Sequence, residues 1–249
     1  AYVGSAAYAL GVVRDANTAF QESIAADPQR VETQLEWAQL FLEKYDAGHA
    51  EEGVQDALRV NPEHPVAHTL YARIRLEQSY AFVEAARDLE RALAVNPHLA
   101  MARITQAGLA LYDLDVATTD RILTEVLTQD PTDIEALSVR AAARFLADDT
   151  AGFETAKREV LRRHATYSQL YTIIARYAEW EHRYPAIVDM AREAIALNPR
   201  DSVAQATLGI NLMRMGDEDA GMTALREAWR RDRYNVQVFN TLNLFEDVI

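Results

Sequence analysis

The stretch VETQLEWAQLFLEKYDAGHAEEGVQDALRVNPEH, Val31 to His64, decides the fold. Leu35, Trp37, Leu40, Phe41 and Leu42 recur at helical spacing until Asp46-Ala47-Gly48 breaks the pattern. Val54, Ala57, Leu58 and Val60 line a second helix, which Asn61-Pro62 stops. The stretch therefore reads as two short helices joined by a tight turn.

The same plan recurs along the chain. Asp27-Pro28, Asn61-Pro62, Asn96-Pro97, Asp130-Pro131 and Asn198-Pro199 have proline spacings of 34, 35, 34 and 68, the last being twice 34. The skipped register falls at His164-Ala165, and one further step reaches Asp232-Arg233. In the same frame Gly4, Ala38, Ala72, Ala107, Ala141, Ala175 and Gly209 form a column of Ala or Gly only. With Ala and Gly making up about one residue in five, chance fills all seven places only ~10⁻⁵ of the time. A further column of small or compact residues holds Ser23, Ala57, Ala92, Val126, Val160, Ala194 and Ala228. The single 35-residue step lies between Ala72 and Ala92, which places one inserted residue near the Ser79-Tyr80 turn.

The frame defines one domain, 1–249, built of units 1–30, 31–64, 65–99, 100–133, 134–167, 168–201 and 202–235, with a terminal helix over 236–249. Pro65 and Pro185 fit the first turn of a helix, where no backbone donor is needed, and Asp133 and Asp201 fit N-caps. A two-helix unit this short cannot hide its apolar face alone, so it stacks on neighbours, and Ala or Gly at the crossings lets the backbones approach.

Composition sets the outer bounds. Across 249 residues the chain carries a net charge of −13, 49% hydrophobic residues and no cysteine. The last point excludes thiol catalysis, disulfides and cysteine-ligated metal sites. The acidic balance argues against a nucleic-acid or anionic-membrane surface, and no run of apolar residues is long enough to insert in a membrane. Cytoplasm and periplasm both suit such a chain.

The helix-turn-helix unit, with Leu208-Gly209, Gly216, Leu225 and Ala228 in one copy and Trp37, Ala38, Phe41, Ala50, Ala57 and Pro62 in another, resembles the tetratricopeptide repeat family over nearly the whole chain. The match is weakest in 134–167, where Phe153 takes a usually small position and Ala165 replaces proline. The resemblance implies an all-α, right-handed superhelical solenoid whose first helices line a concave groove, a scaffold that binds a protein or peptide segment without catalysis in this chain. The lysine-asparagine clamp by which some relatives grip chaperone tails is absent, since the corresponding places hold Ala1, Ser5, Glu36, Val66 and Leu70.

Projection onto a helix places Tyr8, Leu42, Arg73, Leu76, Leu111, Tyr112, Phe145, Arg176, Trp180, Met213 and Arg214 on the groove wall. Each also reads as inter-repeat core. An apolar wall with few cations suits a segment carrying hydrophobic anchors and some acids, and Tyr112, Arg176 and Trp180 are the expected anchors. Both ends read as cut from a longer protein, and the apolar terminal helix is expected to invite self-association. Phe239 to Ile249 resembles the junction that, in some bacterial proteins, joins such repeats to a metallopeptidase-like (gluzincin) domain. On that alternative the chain is the substrate-positioning repeat region of a larger enzyme, though no His-Glu-x-x-His occurs within it.

Other chemistry finds little support. No phosphate-binding glycine loop, nucleophile elbow or dinucleotide fingerprint occurs, and no cofactor is implied. His64 and His68 are four apart, but Pro65 starts a helix between them and no third ligand accompanies them, so they read as a surface pair rather than a metal site. The acids Asp148-Asp149 and Asp217-Glu218-Asp219 suit helix starts. The basic islands at 157–164 and 226–233 read as salt-bridged rather than as a nucleic-acid face.

Overall fold

The computed structural model describes residues 4–6 and 12–246, and among these every regular element is helical. The elements run α1 (Val13–Ala26), α2 (Val31–Glu43), α3 (Ala47–Val60), α4 (Pro65–Ile74) with a π-helical turn (Arg75–Ser79), α5 (Phe82–Val95), α6 (Ala100–Tyr112), α7 (Val116–Gln129), α8 (Ile134–Leu146), α9 (Thr150–Arg163), α10 (Gln169–Trp180), α11 (Tyr184–Leu197), α12 (Ser202–Arg214), α13 (Glu218–Arg231) and α14 (Val236–Glu246).

Each kind of turn has one physical solution used repeatedly. Between units, the Asx-Pro pairs are Asx turns. The side-chain oxygens of Asp27, Asn61, Asn96, Asp130 and Asn198 accept from the backbone N–H two residues on, at 2.8 to 3.2 Å, spanning the proline that has no N–H to give. Within units, the first helix ends in a left-handed residue: Tyr45, Tyr80, Leu114, Asp148, His182 or Gly216. Paired backbone bonds close the turn, as in Tyr45 N–H to Leu42 O at 3.0 Å and Asp46 N–H to Phe41 O at 2.9 Å, so carbonyls that the helix end would orphan are satisfied. Asp46, Asp115, Asp149 and Asp217 then cap the second helix, and Asp133 and Asp201 cap α8 and α12 through the Ala136 and Ala204 amides. Pro65 and Pro185 lie in the first turns of α4 and α11.

The small column is the crossing point. Gly4, Ala38, Ala72, Ala107, Ala141, Ala175 and Gly209 are all buried. A Cβ on Gly209 would lie 2.9 Å from the Gly221 carbonyl and 2.7 Å from Leu225 Cγ, so α12 and α13 meet backbone to backbone. In the second column Ala57, Ala92, Val126, Val160, Ala194 and Ala228 are buried and Ser23 is half-buried.

The inserted residue is not in the turn. In five units the left-handed residue follows the small column by seven places, as Ala38 to Tyr45 and Ala107 to Leu114, whereas Ala72 to Tyr80 is eight. The extra residue therefore falls within 73–79, and the helix absorbs it by winding Arg75–Ser79 as a π turn.

The described chain divides into two compact units, residues 1–105 with 234–237, and 106–233 with 238–249. In the first, Leu35, Ala38, Val54, Ala57, Leu70 and Ile74 form the core of consecutive hairpins, and Phe20 fills the space beside Ala16 and Leu40. In the second, Ala206, Leu225 and Ala228 pack with Val238 and Leu242 of α14, so those two residues act as the first helix of one more unit. No helix among the described residues is long and apolar enough to cross a membrane.

Candidate functional site

The groove-wall residues expected from helical projection separate into three groups. Leu42, Leu76, Leu111 and Tyr112 are buried, which corrects their placement on an open wall. For Leu42, Leu76 and Leu111 the cause is directional: a helical side chain leans toward its own N-terminus, so the position four after the small column leans over the crossing, whereas Tyr112, five after it, packs against Tyr177 and Trp180. Arg73 is half-buried and donates from Nε to Thr105 Oγ1 at 3.0 Å, tying α4 to α6. Phe145 and Met213 are half-buried too. Phe145 meets Phe153 edge-on at 5.6 Å, which is how the unit accommodates a large residue at a usually small position. Met213 packs against Gly221, whose missing side chain makes the room. Tyr8 lies outside the described residues.

What remains open is concentrated in the second unit on α10 and α12. Arg176, Trp180 and Arg214 are exposed, Trp180 to 39%. Trp180 is nevertheless held: its ring stands edge-on to Tyr112 at 6.0 Å and 87°, and Tyr112 in turn meets Tyr177 at 5.3 Å. The Tyr177 hydroxyl occupies the space that a side chain at Gly108 would take. The indole is thus fixed on one side by buried aromatic rings and open on the other. Glu179 accepts from Asn211 Nδ2 at 3.0 Å and pairs with Arg214 at 3.2 Å, linking α10 to α12, while the Arg214 guanidinium lies 5.5 Å over the Tyr184 ring. An aromatic plate with exposed arginines on the same two helices can take apolar and acidic side chains of a bound chain.

Tyr177 and Arg183 were not legible as members of this neighbourhood. Ala107-Gly108, two small residues side by side, was the available signal for the bulky ring opposite. Arg183 donates to Asp148 Oδ1 at 2.7 Å and to the Leu146 carbonyl at 3.0 Å, capping α8 from the next unit. The partner lies 35 residues back, one more than the period.

The histidines and charge runs have structural partners. His64 Nδ1 accepts from the Ala67 amide at 3.4 Å as the N-cap of α4. His68 is 3% exposed, so the two are not a surface pair. No group of three or more potential metal ligands exists among the described residues. Lys157 pairs with Glu154 at 2.8 Å and lies 3.8 Å from Glu193 of the next unit, and Arg163 pairs with Glu159 at 3.0 Å. Arg230 and Arg231 share Glu227, holding its carboxyl below the usual carboxylate range, Arg231 most strongly.

No family model matches the sequence, and no curated protein matches it. Solved structures do. A tetratricopeptide repeat protein from Parabacteroides merdae superposes with a TM-score of 0.56 at 11% identity, covering 97% of this chain and 95% of that one. A thermophilic protein of the same repeat type from Thermus thermophilus gives 0.61 at 18% identity over 72% of this chain and 95% of its own. PilW, a type IV pilus biogenesis factor, gives 0.58 at 15% identity over 80% and 91%. At these identities the likeness is one of fold: this chain has the helical-repeat architecture of tetratricopeptide repeat proteins.

Proposed function

We propose that the chain is a non-catalytic protein-interaction module that holds a peptide segment of a partner against the first-helix face of α10 and α12. The observation that carries this reading is Trp180, an exposed indole braced from behind by Tyr112, with exposed Arg176 one helical turn before it on α10 and Arg214 tied to the adjoining Glu179. Ordering an exposed side chain on binding costs free energy, and a ring already fixed by its neighbours reduces that cost. The fold supports the reading, because stacked hairpins present successive first helices as one extended surface. The bound segment carries an apolar or aromatic anchor for Trp180 and a carboxylate near Arg176, a residue pattern that complements an aromatic plate with exposed arginines on the same two helices.

The test is site-specific. A photo-crosslinking residue at position 176, with a second at the outer-face position Glu90 as control, is introduced in source cells. A single protein species crosslinked at 176 and absent at 90 is the expected result. Its crosslinked segment, titrated into the purified chain, binds Trp180→Ala at least ~10-fold more weakly, as for an interface hot spot. Equal affinity for wild type and variant would overturn the reading.

A further inference from the structure

One unit departs from the repeat at two places, which meet in space beside a buried histidine, all within the first compact unit. First, 65–99 alone carries the extra residue, wound into the π turn that begins at Arg75. Second, Asp88 stands where the other second helices have the uncharged Ala19, Gly53, Ile122, Ala156, Met190 and Ala224, and it is 3% exposed. Beside them, His68 keeps a contact that neighbouring units also make, its side chain reaching back to the preceding proline carbonyl. Gln34 donates to Pro28 O at 2.7 Å, His68 Nε2 to Pro62 O at 2.9 Å, and Arg103 to Pro97 O at 2.9 Å. A carbonyl only accepts, so Nε2 carries the proton there. The other ring nitrogen, Nδ1, is buried without a hydrogen bond and faces Asp88 Oδ1 at 3.6 Å. Arg75 pairs with the second carboxylate oxygen of Asp88, donates to the Glu84 carbonyl at 3.3 Å, and lies 4.1 Å over the Tyr71 ring.

These groups floor a cavity of about 220 Å³ between α3, α4 and α5, open to solvent and lined also by Leu58, the acidic Glu84, Arg87 and Arg91. Burial pushes the Asp88 carboxyl up, opposed first by the Arg75 charge and then by His68 and the Arg91 charge. The floor is therefore a compensated pair rather than a bare anion. At the rim, Arg87 and Arg91 lie one helical turn apart on α5, are exposed, and make no hydrogen bond or ion pair among the described residues. Many arginines of this acidic chain pair with acids, as Arg144 does with Asp120 and Arg163 with Glu159, while exposed Arg162 and Arg200 make no such pair among the described residues. What sets Arg87 and Arg91 apart is their place, since both guanidinium-bearing residues line the open cavity. Departures from a repeat's own rules concentrate where the chain serves a function, and π turns share that tendency.

The geometry points to an oxyanion-binding pocket at this cavity, in which Arg87 and Arg91 take a carboxylate or phosphate group of a small ligand, and the π turn seats Arg75 to neutralise Asp88 on the floor. Guanidinium forks match both anions bidentately, so the two ligand sources share one chemistry. Leu58 and the Tyr71 ring give the rest of the ligand an apolar wall.

The whole chain is titrated with inorganic phosphate and, separately, with glutarate, at ionic strength held constant with sodium chloride, following arginine Nε–H resonances. Saturable shifts at Arg87 and Arg91 with either probe, with Kd on the order of 1 mM, are expected. A response to phosphate alone assigns a phosphate-bearing ligand, to glutarate alone a carboxylate, and either supports the pocket. Both substitutions in Arg87→Gln/Arg91→Gln are on the surface, and circular dichroism checks that the fold is kept. That double variant is expected to bind at least ~10-fold more weakly. Asp88→Asn, which removes the floor's negative charge, is expected to bind several-fold more tightly. Absence of saturable shifts up to about 20 mM, a titration unchanged in the double variant, or equal shifts from chloride alone would each overturn the proposal.

Discussion

The backbone N–H of Ala81 donates to the carbonyl of Arg75 at 3.1 Å, six residues back, whereas the corresponding bond from Asp46 reaches Phe41, five residues back, at 2.9 Å. In both units the acceptor lies three places after the small column, at Ala72 and Ala38. Turn and crossing are thus preserved, and the extra residue is taken up wholly by the helix between them.

Deleting Gln78 tests that account. The deletion restores the 34-residue period and removes a buried amide nitrogen, Nε2, that has no hydrogen-bond partner among the described residues. An unsatisfied buried polar group costs about 1–3 kcal/mol, so the shortened chain is expected to melt no lower than wild type. A drop of several degrees would show that the π turn itself supports the fold.

Overpacking the crossings has the opposite sign. Ala107 and Ala141 are fully buried, and Ala107→Leu or Ala141→Leu is expected to destabilise by about 1–3 kcal/mol, read by denaturant unfolding. Gly209→Ala belongs to the same class, because the nearest backbone oxygen, Gly221 O, cannot move without shifting α13. Unchanged midpoints in all three would remove the crossings from the account.

Leu114 holds a left-handed conformation, φ 55°, that costs a branched residue free energy and costs glycine little. The side chain is 42% exposed, so only part of a full side chain's packing is lost. Leu114→Gly is expected to raise stability by about 0.5–1 kcal/mol, as measured by chemical denaturation. A loss of stability would mean the Leu114 side chain packs more than its exposure indicates.

Acid acts on the caps. Asp115 accepts from the Thr118 amide at 2.9 Å, and that bond, with the Thr118 side chain next, holds its carboxyl below the usual value of 3.8. A carboxyl whose folded pKa lies below its unfolded pKa contributes stability that is present above the unfolded pKa and lost as pH falls through the folded one. Asp130, held down first by the Thr132 hydroxyl, behaves the same way. The difference in stability between wild type and Asp115→Asn is therefore expected to be constant above about pH 5 and to shrink below about pH 4. A difference that grows on acidification would reverse the assignment.

Legibility followed locality. Trp37, Ala38, Phe41 and Ala57 announce a hairpin because helix periodicity and small crossings are written within one unit, and the Asx-Pro pairs are self-contained turns. The site was less legible. Leu42 and Trp180 are both apolar residues at the end of a first helix, yet one is 6% exposed and the other 39%. Which of them faces solvent depends on the residues that other hairpins bring, such as Tyr112 of an earlier one against Trp180.

The amino-acid sequence by itself determined the helical hairpin, its period, its caps and the columns of alanine and glycine at the crossings, because each follows from hydrogen bonds and sterics among residues close in the chain. Only the tertiary structure decided that the extra residue winds into a π turn, that His68, Asp88 and Arg75 share one floor, and that Trp180 stays open while Leu42, Leu76 and Leu111 close. Those outcomes depend on side chains from different helices competing for the same volume, and no single unit contains the information to settle them.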